Sequence, residues 1–314
     1  MTEIYNMKKG QSVVADLRDG ASLTMGIGNV YRVIKTTEPY YTQFIKDYQG
    51  RHTDGSLMVH TDIQSALDAT VECRNDYVIV QPSDSDYDIT AVLTLSKKSV
   101  HLICPAGMGM ETGATNACRI HQTTAATDIF SVADASIEIA GFYLKHYANV
   151  TAIELTGNGY APNIHHNTIA MSTSSTTSEP MILGVAAGGA YGSIHHNWIF
   201  ASGGDDTTIA AIIYIQASAT MARVNFNEIT IGDGMTATVG IINHATKGMV
   251  KGNTFGQAGS DSTWTHCINI GSYGNAIYNR GVVADGVLVT GGVNDKSFSD
   301  NMNGVDGGLI DDAD

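Results

Sequence analysis

One short phrase recurs along the chain: an apolar residue, two further residues, an asparagine, one residue and a second apolar residue. The clearest copies, at 164–169 and 194–199, read Ile-His-His-Asn-Thr-Ile and Ile-His-His-Asn-Trp-Ile. Weaker copies begin at Val224, Val250 and Ile277, and segment 137–144 fits with Gly141 in the asparagine position. The asparagines are Asn167, Asn197, Asn227, Asn253 and Asn279. A spacing of roughly 26 to 30 residues between successive copies predicts a solenoid whose repeats pack on their neighbours.

A second apolar segment lies between successive copies of the phrase. These segments are short, mostly β-branched and bounded by Gly, Ser, Thr, Asn or Asp, so they predict strands. Helical repeats of this length would need two long apolar stripes, and the sequence has none. The prediction is therefore an all-β parallel β-helix with one coil per repeat. The segments are Ala152–Leu155, Met181–Leu183, Ile212–Ile215, Val239–Ile242, Cys267–Ile270 and Gly286–Val289.

The recurring asparagines have a structural interpretation. At a tight bend between strands, Asn tolerates a left-handed backbone, and its amide can bond to the same bend in neighbouring coils. We expect the five asparagines to form one ladder. Gly141 would meet the same backbone requirement without joining the ladder through a side chain.

The phrase Ile-His-His-Asn-Thr-Ile resembles the pectate-lyase-like right-handed parallel β-helices, and the resemblance covers roughly residues 56–305. It implies a single-stranded right-handed coil. The superfamily includes polysaccharide lyases, glycoside hydrolases, phage tailspikes and virion decoration proteins. The phage virion members are the most similar in character.

Three regions are expected. Residues 1–55 do not follow the coil pattern; they either pack along the solenoid and complete its cap or form an arm that docks onto a larger assembly. Residues 56–305 form the β-helix, including an N-terminal cap with a helix that starts at the capping-box spacing of Thr61 to Gln64. Residues 306–314 form an acidic tail.

Charge and composition narrow the range of partners. The net charge is −14, and residues 61–314 carry all of the excess, so nucleic acid is an unfavourable partner. No apolar run approaches the roughly 18 residues that a membrane-spanning helix needs, so no such span is expected. The N-terminus also lacks the apolar region of a signal peptide. The cysteines have no disulfide-framework or metal spacing, and we expect reduced thiols: Cys73, Cys104, Cys118 and Cys267.

The tandem histidines 165–166 and 195–196 are the most tempting metal ligands, because they are expected to stack in adjacent coils. The next coils carry Asn225-Phe226 and Lys251-Gly252 in the same frame, so a complete ligand set is not offered. We interpret the histidines as structural and predict neither a metal nor a cofactor.

Catalytic groups are also poorly represented. Glycoside hydrolysis needs carboxylates that converge on one face. Lyase action, as the resemblance implies it, would need a calcium-binding carboxylate cluster and an arginine base, and no coil arginine lies in such a pairing. Only two tryptophans, Trp198 and Trp264, are present, which disfavours a glycan groove. We predict no catalytic residue. The carboxylate candidates are Asp128, Asp134, Glu138, Glu154, Asp205, Asp206 and Asp233, and the arginines are Arg119, Arg223 and Arg280.

These observations favour a non-enzymatic phage virion protein. We expect a capsid decoration (cement) protein on the outer capsid surface, a homotrimer that binds the major capsid protein and bridges capsomers. The alternatives are a tailspike or receptor-binding protein on the phage tail, or a secreted polysaccharide lyase or hydrolase. Glycan binding is compatible with the sequence but is not favoured by it.

Overall fold

The structure is a computed structural model that describes residues 28–48, 50–52, 55–105, 118–124, 127–147, 149–171, 177–202, 208–258, 261–271, 273–281, 287–291, 297–299 and 302–303. Its two helices are α1 (Tyr41–Asp47) and α2 (Ile63–Ala69). The strands in the first half are β1 (Val30–Val33), β2 (Val59–His60), β3 (Asp76–Val80), β4 (Tyr87–Ile89), β5 (Leu93–Leu95), β6 (Val100–Ile103), β7 (Cys118–Gln122), β8 (Phe130–Val132), β9 (Glu138–Ala140), β10 (Phe142–His146) and β11 (Ile153–Leu155).

The remaining strands continue the same succession of short segments. They are β12 (Asn163–His165), β13 (Thr168–Met171), β14 (Thr177–Ser178), β15 (Ile182–Gly184), β16 (Ser193–His195), β17 (Trp198–Ala201), β18 (Thr208–Ile215), β19 (Arg223–Asn225), β20 (Glu228–Ile231), β21 (Thr236–Asn243), β22 (Met249–Lys251), β23 (Thr254–Gln257), β24 (Thr263–Ile270), β25 (Asn275–Ile277), β26 (Arg280–Gly281), β27 (Val287–Gly291), β28 (Ser297–Ser299) and β29 (Met302–Asn303).

The strands form three parallel sheets, and each coil of the chain contributes to each sheet in turn. Sheet 1 has the order β2-β1-β3-β6-β9-β12-β16-β19-β22-β25-β28. Sheet 2 runs β29-β26-β23-β20-β17-β13-β10-β7-β4, and sheet 3 runs β27-β24-β21-β18-β15-β11-β8-β5, with β14 paired to β18. The predicted all-β parallel solenoid is confirmed.

The core consists of inward-facing side chains that lie in register from coil to coil. In sheet 1 the column passes from Ile164 to Ile194 and Val224, all at most 3% exposed. Burial of each such side chain contributes about 1.5–3 kcal/mol. In the last copy of the phrase the inward position belongs to Ala276, which pairs with Val250. The phrase therefore starts one residue earlier than the sequence predicted from Ile277.

Part of the segment 1–55 belongs to sheet 1. Strand β1 lies between β2 and β3, with Arg32 opposite both Val59 and Ile79. Helix α1 follows, and the Tyr48 hydroxyl after it donates to the Val30 carbonyl at 2.6 Å. Residues 30–48 thus pack on the solenoid. Residues 1–27 and the acidic tail 306–314 lie outside the described residues.

Helix α2 forms where its apolar spacing predicted it, but with a different N-cap. Asp62, not Thr61, is the N-cap, and its carboxylate accepts from the Ser65 N–H at 2.8 Å. Gln64 instead accepts from the backbone N–H of Thr94 at 2.8 Å, which ties the helix to β5. The helix buries one face against the first coils through Ile63, Ala66 and Leu67.

The four cysteines are free, and all except the exposed Cys73 are buried. Neither α1 nor α2 is long and apolar enough to cross a membrane, and the described residues contain no other helix that is.

Candidate functional site: the bend and outer face of sheet 1

The five asparagines lie in one buried column, the asparagine ladder, where sheet 1 bends into sheet 2. The Asn167 side chain donates from Nδ2 to Oδ1 of Asn197 at 3.1 Å, and the Asn167 backbone N–H donates to the same oxygen at 3.1 Å. Asn197 repeats both bonds to Asn227, as do Asn227 to Asn253 and Asn253 to Asn279. The side chains are at most 2% exposed.

Further bonds from each amide close the bend. Nδ2 of Asn197 also donates to the carbonyls of Ile164, in the preceding coil, and His195, in its own coil. The polar groups of one bend are therefore satisfied by the bends above and below. Because buried amides that lose a partner are costly, the ladder ties neighbouring coils together in a fixed register.

The left-handed residue of the bend is not the asparagine, and this part of the interpretation was wrong. The residue before each asparagine has positive φ, for example 53° at His166 and 52° at His196. The strand register places Gly141, with φ 84°, opposite His166, so Phe142 lies opposite Asn167. The backbone N–H of Phe142 donates to Asn167 Oδ1 at 3.1 Å and starts the ladder. Gly141 thus supplies the left-handed residue and does not take the asparagine position.

A hydrogen-bonded network of histidines surrounds Glu138 on the outer face of sheet 1. Oε2 of Glu138 lies 2.5 Å from Nδ1 of His101, and Oε1 lies 2.7 Å from Nε2 of His165. His165 stacks on His195 with ring centroids 5.0 Å apart. Its Nδ1 lies 2.8 Å from Nδ1 of His166. The tandem histidines therefore bond to one another and to a carboxylate.

The network sets unequal protonation states. Partial burial raises the pKa of Glu138, but hydrogen bonds from His101 and His165 and their charges lower that pKa to about 2. Burial and then repulsion by His165 and His196 lower the pKa of His195 from 6.5 to about 4. Burial and the same kind of repulsion lower the pKa of His166. At neutral pH Glu138 is ionised, and His166 and His195 are neutral.

The other carboxylate candidates are engaged locally. The Glu154 carboxyl hydrogen bonds to Asp128; burial and this neighbour raise the pKa of Glu154. Carboxyls in direct contact leave no room between them for a glycosidic bond and a nucleophile, which require about 5 Å or more. Asp134 accepts from the N–H of its own neighbour Ala135, and Asp233 is exposed in a turn. Residues 205–206 lie outside the described residues.

Arg119 has acidic partners that the sequence did not reveal, because they come from the neighbouring strand of sheet 2 and the turn before it. Its Nε lies 2.6 Å from Asp86 Oδ1, and the neighbouring His121 lies 3.2 Å from Asp88. In the described part of the chain, one group of three side chains could offer ligand atoms to a metal ion within 4.8 Å of one another. It consists of Asp86, Asp88 and His121. Asp86 is already paired with a guanidinium and Asp88 is exposed, so the group forms a surface ion-pair network.

Two rows of left-handed residues border the outer face of sheet 1. The exit row, where the chain leaves the sheet, is His166, His196, Phe226, Gly252 and Tyr278. The entry row, where it enters, is Ala161, Tyr191, Met221, Lys247 and Tyr273. A shallow groove of about 480 Å³ follows the entry row between Met221 and Lys247 and reaches Arg223, Asn225 and Asn275.

This surface was not predicted from the two tryptophans, because its exposed rings are tyrosine and phenylalanine. Trp264 is buried against Phe255 and Trp198 lies on sheet 2 beside Phe200, so neither borders the groove. The available signal was positional. Tyr191 and Tyr273 each lie two residues before a sheet 1 strand and immediately before a glycine.

Comparison of the chain with models of known protein families, with curated proteins and with solved structures gave no match. A proposal for the function of this chain therefore rests on its fold and on the geometry of sheet 1.

Proposed function

We propose that this chain is a non-enzymatic structural protein of a phage virion, a right-handed parallel β-helix that decorates the outer capsid surface. It acts as a homotrimer that binds the major capsid protein and bridges neighbouring capsomers. The observation that carries the proposal is the uninterrupted stacking of three parallel sheets, of 11, 9 and 9 strands, around one core. Such a body suits mechanical reinforcement.

The asparagine ladder supports a reinforcing role. It joins consecutive coils by two hydrogen bonds from each asparagine to the next, in addition to the sheet pairing. Separation of two coils would expose these buried amides together with the apolar columns. The solenoid therefore resists local opening, as a protein that reinforces a shell against internal pressure must.

The distribution of charge supports attachment through the N-terminal segment. Residues 1–60 carry seven basic and six acidic residues, whereas the remaining residues carry ten and twenty-five. Strand β1 lies one strand from the end of sheet 1, so the segment that precedes Gly28 connects at that end of the solenoid. An attachment at one end lets a trimer stand on a three-fold position while the acidic body faces solvent.

The test is cryo-electron microscopy of virions that contain this chain, combined with the mass of the purified protein in solution. We expect density on the shell and a mass of three times 33.2 kDa. A matched variant that lacks residues 1–27 should still fold as a solenoid but should no longer bind to the capsid shell. Density at the tail, or on no part of the particle, would overturn the decoration role.

The alternative of a polysaccharide lyase or hydrolase is tested separately. The purified chain is incubated with acidic and neutral polysaccharides, and new reducing ends and unsaturated sugars are measured. We expect no release, because Glu138 is held by two histidines and Asp128 bonds to Glu154. Release that disappears in Glu154→Gln but not in Asp233→Asn would establish catalysis. The receptor-binding alternative has one specific observation in its favour, the groove on sheet 1.

A further inference from the structure

The two histidines of each tandem pair point the same ring nitrogen at each other. Nδ1 of His165 lies 2.8 Å from Nδ1 of His166, and Nδ1 of His195 lies 2.8 Å from Nδ1 of His196. The pairs lie in adjacent coils. His165 stacks on His195 with ring centroids 5.0 Å apart, and His166 stacks on His196 with ring centroids 5.3 Å apart. The same arrangement of two imidazole nitrogens therefore occurs twice, one coil apart.

A bond on the far side of each inner ring determines which nitrogen is free of a proton. Nε2 of His165 lies 2.7 Å from Oε1 of Glu138, and Nε2 of His195 lies 3.0 Å from Oδ1 of Asn163. Because these oxygens only accept, each Nε2 carries a proton, and Nδ1 of the neutral ring holds a lone pair. The bond between the two rings of a pair is then donated by the Nδ1–H of the outer ring, as in His166. A metal ion can replace that proton when the outer ring shifts its proton to Nε2.

The carboxylate behind His165 has the position that metal sites use to orient a ligand. A metal-bound imidazole usually donates its other N–H to a carboxylate or a carbonyl, which fixes its tautomer and makes it a better ligand. Glu138 accepts from His165 in this way, and its second oxygen lies 2.5 Å from Nδ1 of His101. Two bonds thus hold the carboxylate, and the ring of His165 is oriented before any ion binds.

The fold does not require histidine at these positions. The next two coils carry Asn225-Phe226 and Lys251-Gly252 in register with the histidine pairs and form the same left-handed bend. The outer histidines, His166 and His196, are exposed and have φ values of 53° and 52°. Neither exposure nor a left-handed backbone favours an imidazole over asparagine or glycine. Two such pairs side by side therefore indicate a function of the imidazoles themselves.

We propose that each pair binds a divalent transition-metal ion through its two Nδ1 atoms. At metal–nitrogen distances of about 2.0–2.1 Å, nitrogens 2.8 Å apart subtend an angle of about 84–89° at the metal. This angle fits neighbouring positions of a square-planar or octahedral ion, whereas a tetrahedral ion needs about 109°. Imidazole ligands in this geometry are typical of Cu²⁺ and Ni²⁺, and water completes the coordination. Metal binding goes beyond the decoration role and is independent of it.

The sequence suggested that ligands would have to come from stacked residues of successive coils, and the structure shows a different grouping. Nitrogens of the two coils lie too far apart for one ion, since the stacked rings are 5.0 Å apart. The two histidines of one coil are close enough. Each pair is thus a site of its own, and the proposal departs from a purely structural interpretation of the histidines.

The spacing of the two sites has consequences for binding. Two dications about 5 Å apart repel each other, so the second ion should bind at least about tenfold more weakly than the first. The unfolded chain does not hold the rings in this orientation. An ion that binds the folded chain alone raises its stability by mass action.

The experiment is a calorimetric titration of the full-length chain with Ni²⁺ at neutral pH. The protein is prepared without a histidine tag and is freed of metal with a chelator. We expect one ion per chain to bind first and a second to bind more weakly, while Mg²⁺ and Ca²⁺, which prefer oxygen ligands, do not compete. The midpoint of thermal unfolding should rise with Ni²⁺ concentration. Cu²⁺ is the spectroscopic probe, and its electron paramagnetic resonance spectrum should show splitting by two imidazole nitrogens.

Variants of the outer histidines locate the sites. His166→Asn with His196→Asn removes one nitrogen from each pair at left-handed positions that asparagine tolerates, so the fold is kept. The double variant should bind Ni²⁺ at least about tenfold more weakly than the wild type. Either single variant leaves one pair intact and should therefore keep the first binding event and lose the second.

A second double variant and a control complete the set. His165→Asn with His195→Asn removes the other nitrogen of each pair and should weaken binding to the same degree. Asparagine is suitable there because Asn225 has the equivalent position in the next coil. His121→Asn is the control, because it removes the histidine from the group of three possible ligands on sheet 2 and should leave Ni²⁺ binding unchanged.

Each other outcome counts against the proposal. Absence of Ni²⁺ binding up to about 1 mM would show that the pairs are only hydrogen-bonded stacks. Binding that both double variants leave intact would place the ion elsewhere, and loss of binding in His121→Asn would assign it to the group on sheet 2. A Cu²⁺ spectrum without nitrogen splitting would show oxygen ligands and would also overturn the proposal.

Discussion

Two adjacent columns of residues at the same bend differ in burial and in how much their residue types vary. The asparagine ladder is buried and chemically uniform, whereas the exit row, one residue earlier in each coil, is exposed and contains His, Phe, Gly and Tyr. Both columns follow the same backbone path. The difference shows that the bend itself requires only a left-handed residue, while the hydrogen bonds between coils require asparagine. Structure is thus specified by the buried column, which leaves the exposed column free to acquire a function.

The largest expected effect comes from breaking the ladder at its centre. Asn227→Ala removes the acceptor of two bonds from Asn197 and the donor to the Ile194 carbonyl. It leaves several buried polar groups without partners, at a cost of about 3–5 kcal/mol. The midpoint of thermal unfolding, measured at one scan rate, should fall by at least about 5 °C. Asn225→Ala in the same coil is the control and should change it by about 1 °C; equal effects would show that the ladder contributes nothing special to stability.

The second prediction compares two glycines within the left-handed column. A Cβ on Gly141 would lie 2.2 Å from the Cys104 carbonyl oxygen, whereas a Cβ on Gly252 would meet the end of the Phe226 ring at 2.5 Å. The backbone cannot move without breaking sheet 1, but the exposed ring can rotate. Gly141→Ala should cost about 3 kcal/mol or more, and Gly252→Ala about 1–2 kcal/mol, the cost of a left-handed alanine.

The measurement is chemical unfolding of both alanine variants beside the wild type under one set of conditions. Equal losses would show that the Cys104 contact relaxes and that conformation alone sets the requirement for glycine. A larger loss for Gly252→Ala would contradict the steric comparison altogether.

Much of the fold could be predicted from the sequence, because burial repeats faithfully. Ile164 and Ile194 recur in register and mark the inward column that defines each coil. The position of Ala276 shows where prediction from apolar residues fails. The small Ala276 fills the inward position, but the larger Ile277 beside it fitted the apolar pattern better and was assigned to that position. Similarly, Gly141 was aligned with asparagine because glycine and asparagine share a tolerance of positive φ.

The outer face was much harder to predict. His101, Glu138 and His165 come from three successive coils, and their contacts depend on which side of a strand each side chain takes. The entry row contains Ala, Tyr, Met and Lys, so its residue types follow no simple repeat. Composition therefore gives no signal, and only the coil register reveals that these positions are neighbours.

The histidine network should make the stability depend on pH. The pKa of His195 is about 4 in the folded chain against an ordinary 6.5, so the unfolded chain takes up its proton first as pH falls. The contribution of His195 to the free energy of unfolding is therefore fully present above pH 6.5 and is lost as pH falls from there to about 4. Glu138, with a pKa of about 2 against 4.5, adds a loss as pH falls from 4.5 towards 2. The unfolding midpoint should decrease over both ranges.

His195→Asn tests the share of His195 in the upper range, and Asn is suitable because Asn225 occupies the same position in the next coil. Burial also lowers the pKa of His146 to about 4, so part of the loss in this range should remain in the variant. The variant should lose less stability than the wild type between pH 6.5 and 4 and should keep the loss below pH 4.5 that Glu138 causes. Parallel pH profiles for the two proteins would contradict the assignment to His195.

The smallest expected effect lies in the exit row, and its sign separates strain from packing. Tyr278 has a φ of 56° and is 55% exposed, so its ring gains little from burial while its backbone carries the cost of a left-handed conformation. Tyr278→Asn should relieve part of that strain, and we expect a gain of up to about 1 kcal/mol in unfolding free energy. Lys251 lies beside both rings, but Phe226 also stacks on His196 with ring centroids 5.4 Å apart, so Phe226→Asn should gain less. Chemical unfolding of both variants measures the difference. A loss at Tyr278 would mean that its ring stabilises the free solenoid by more than the left-handed backbone costs.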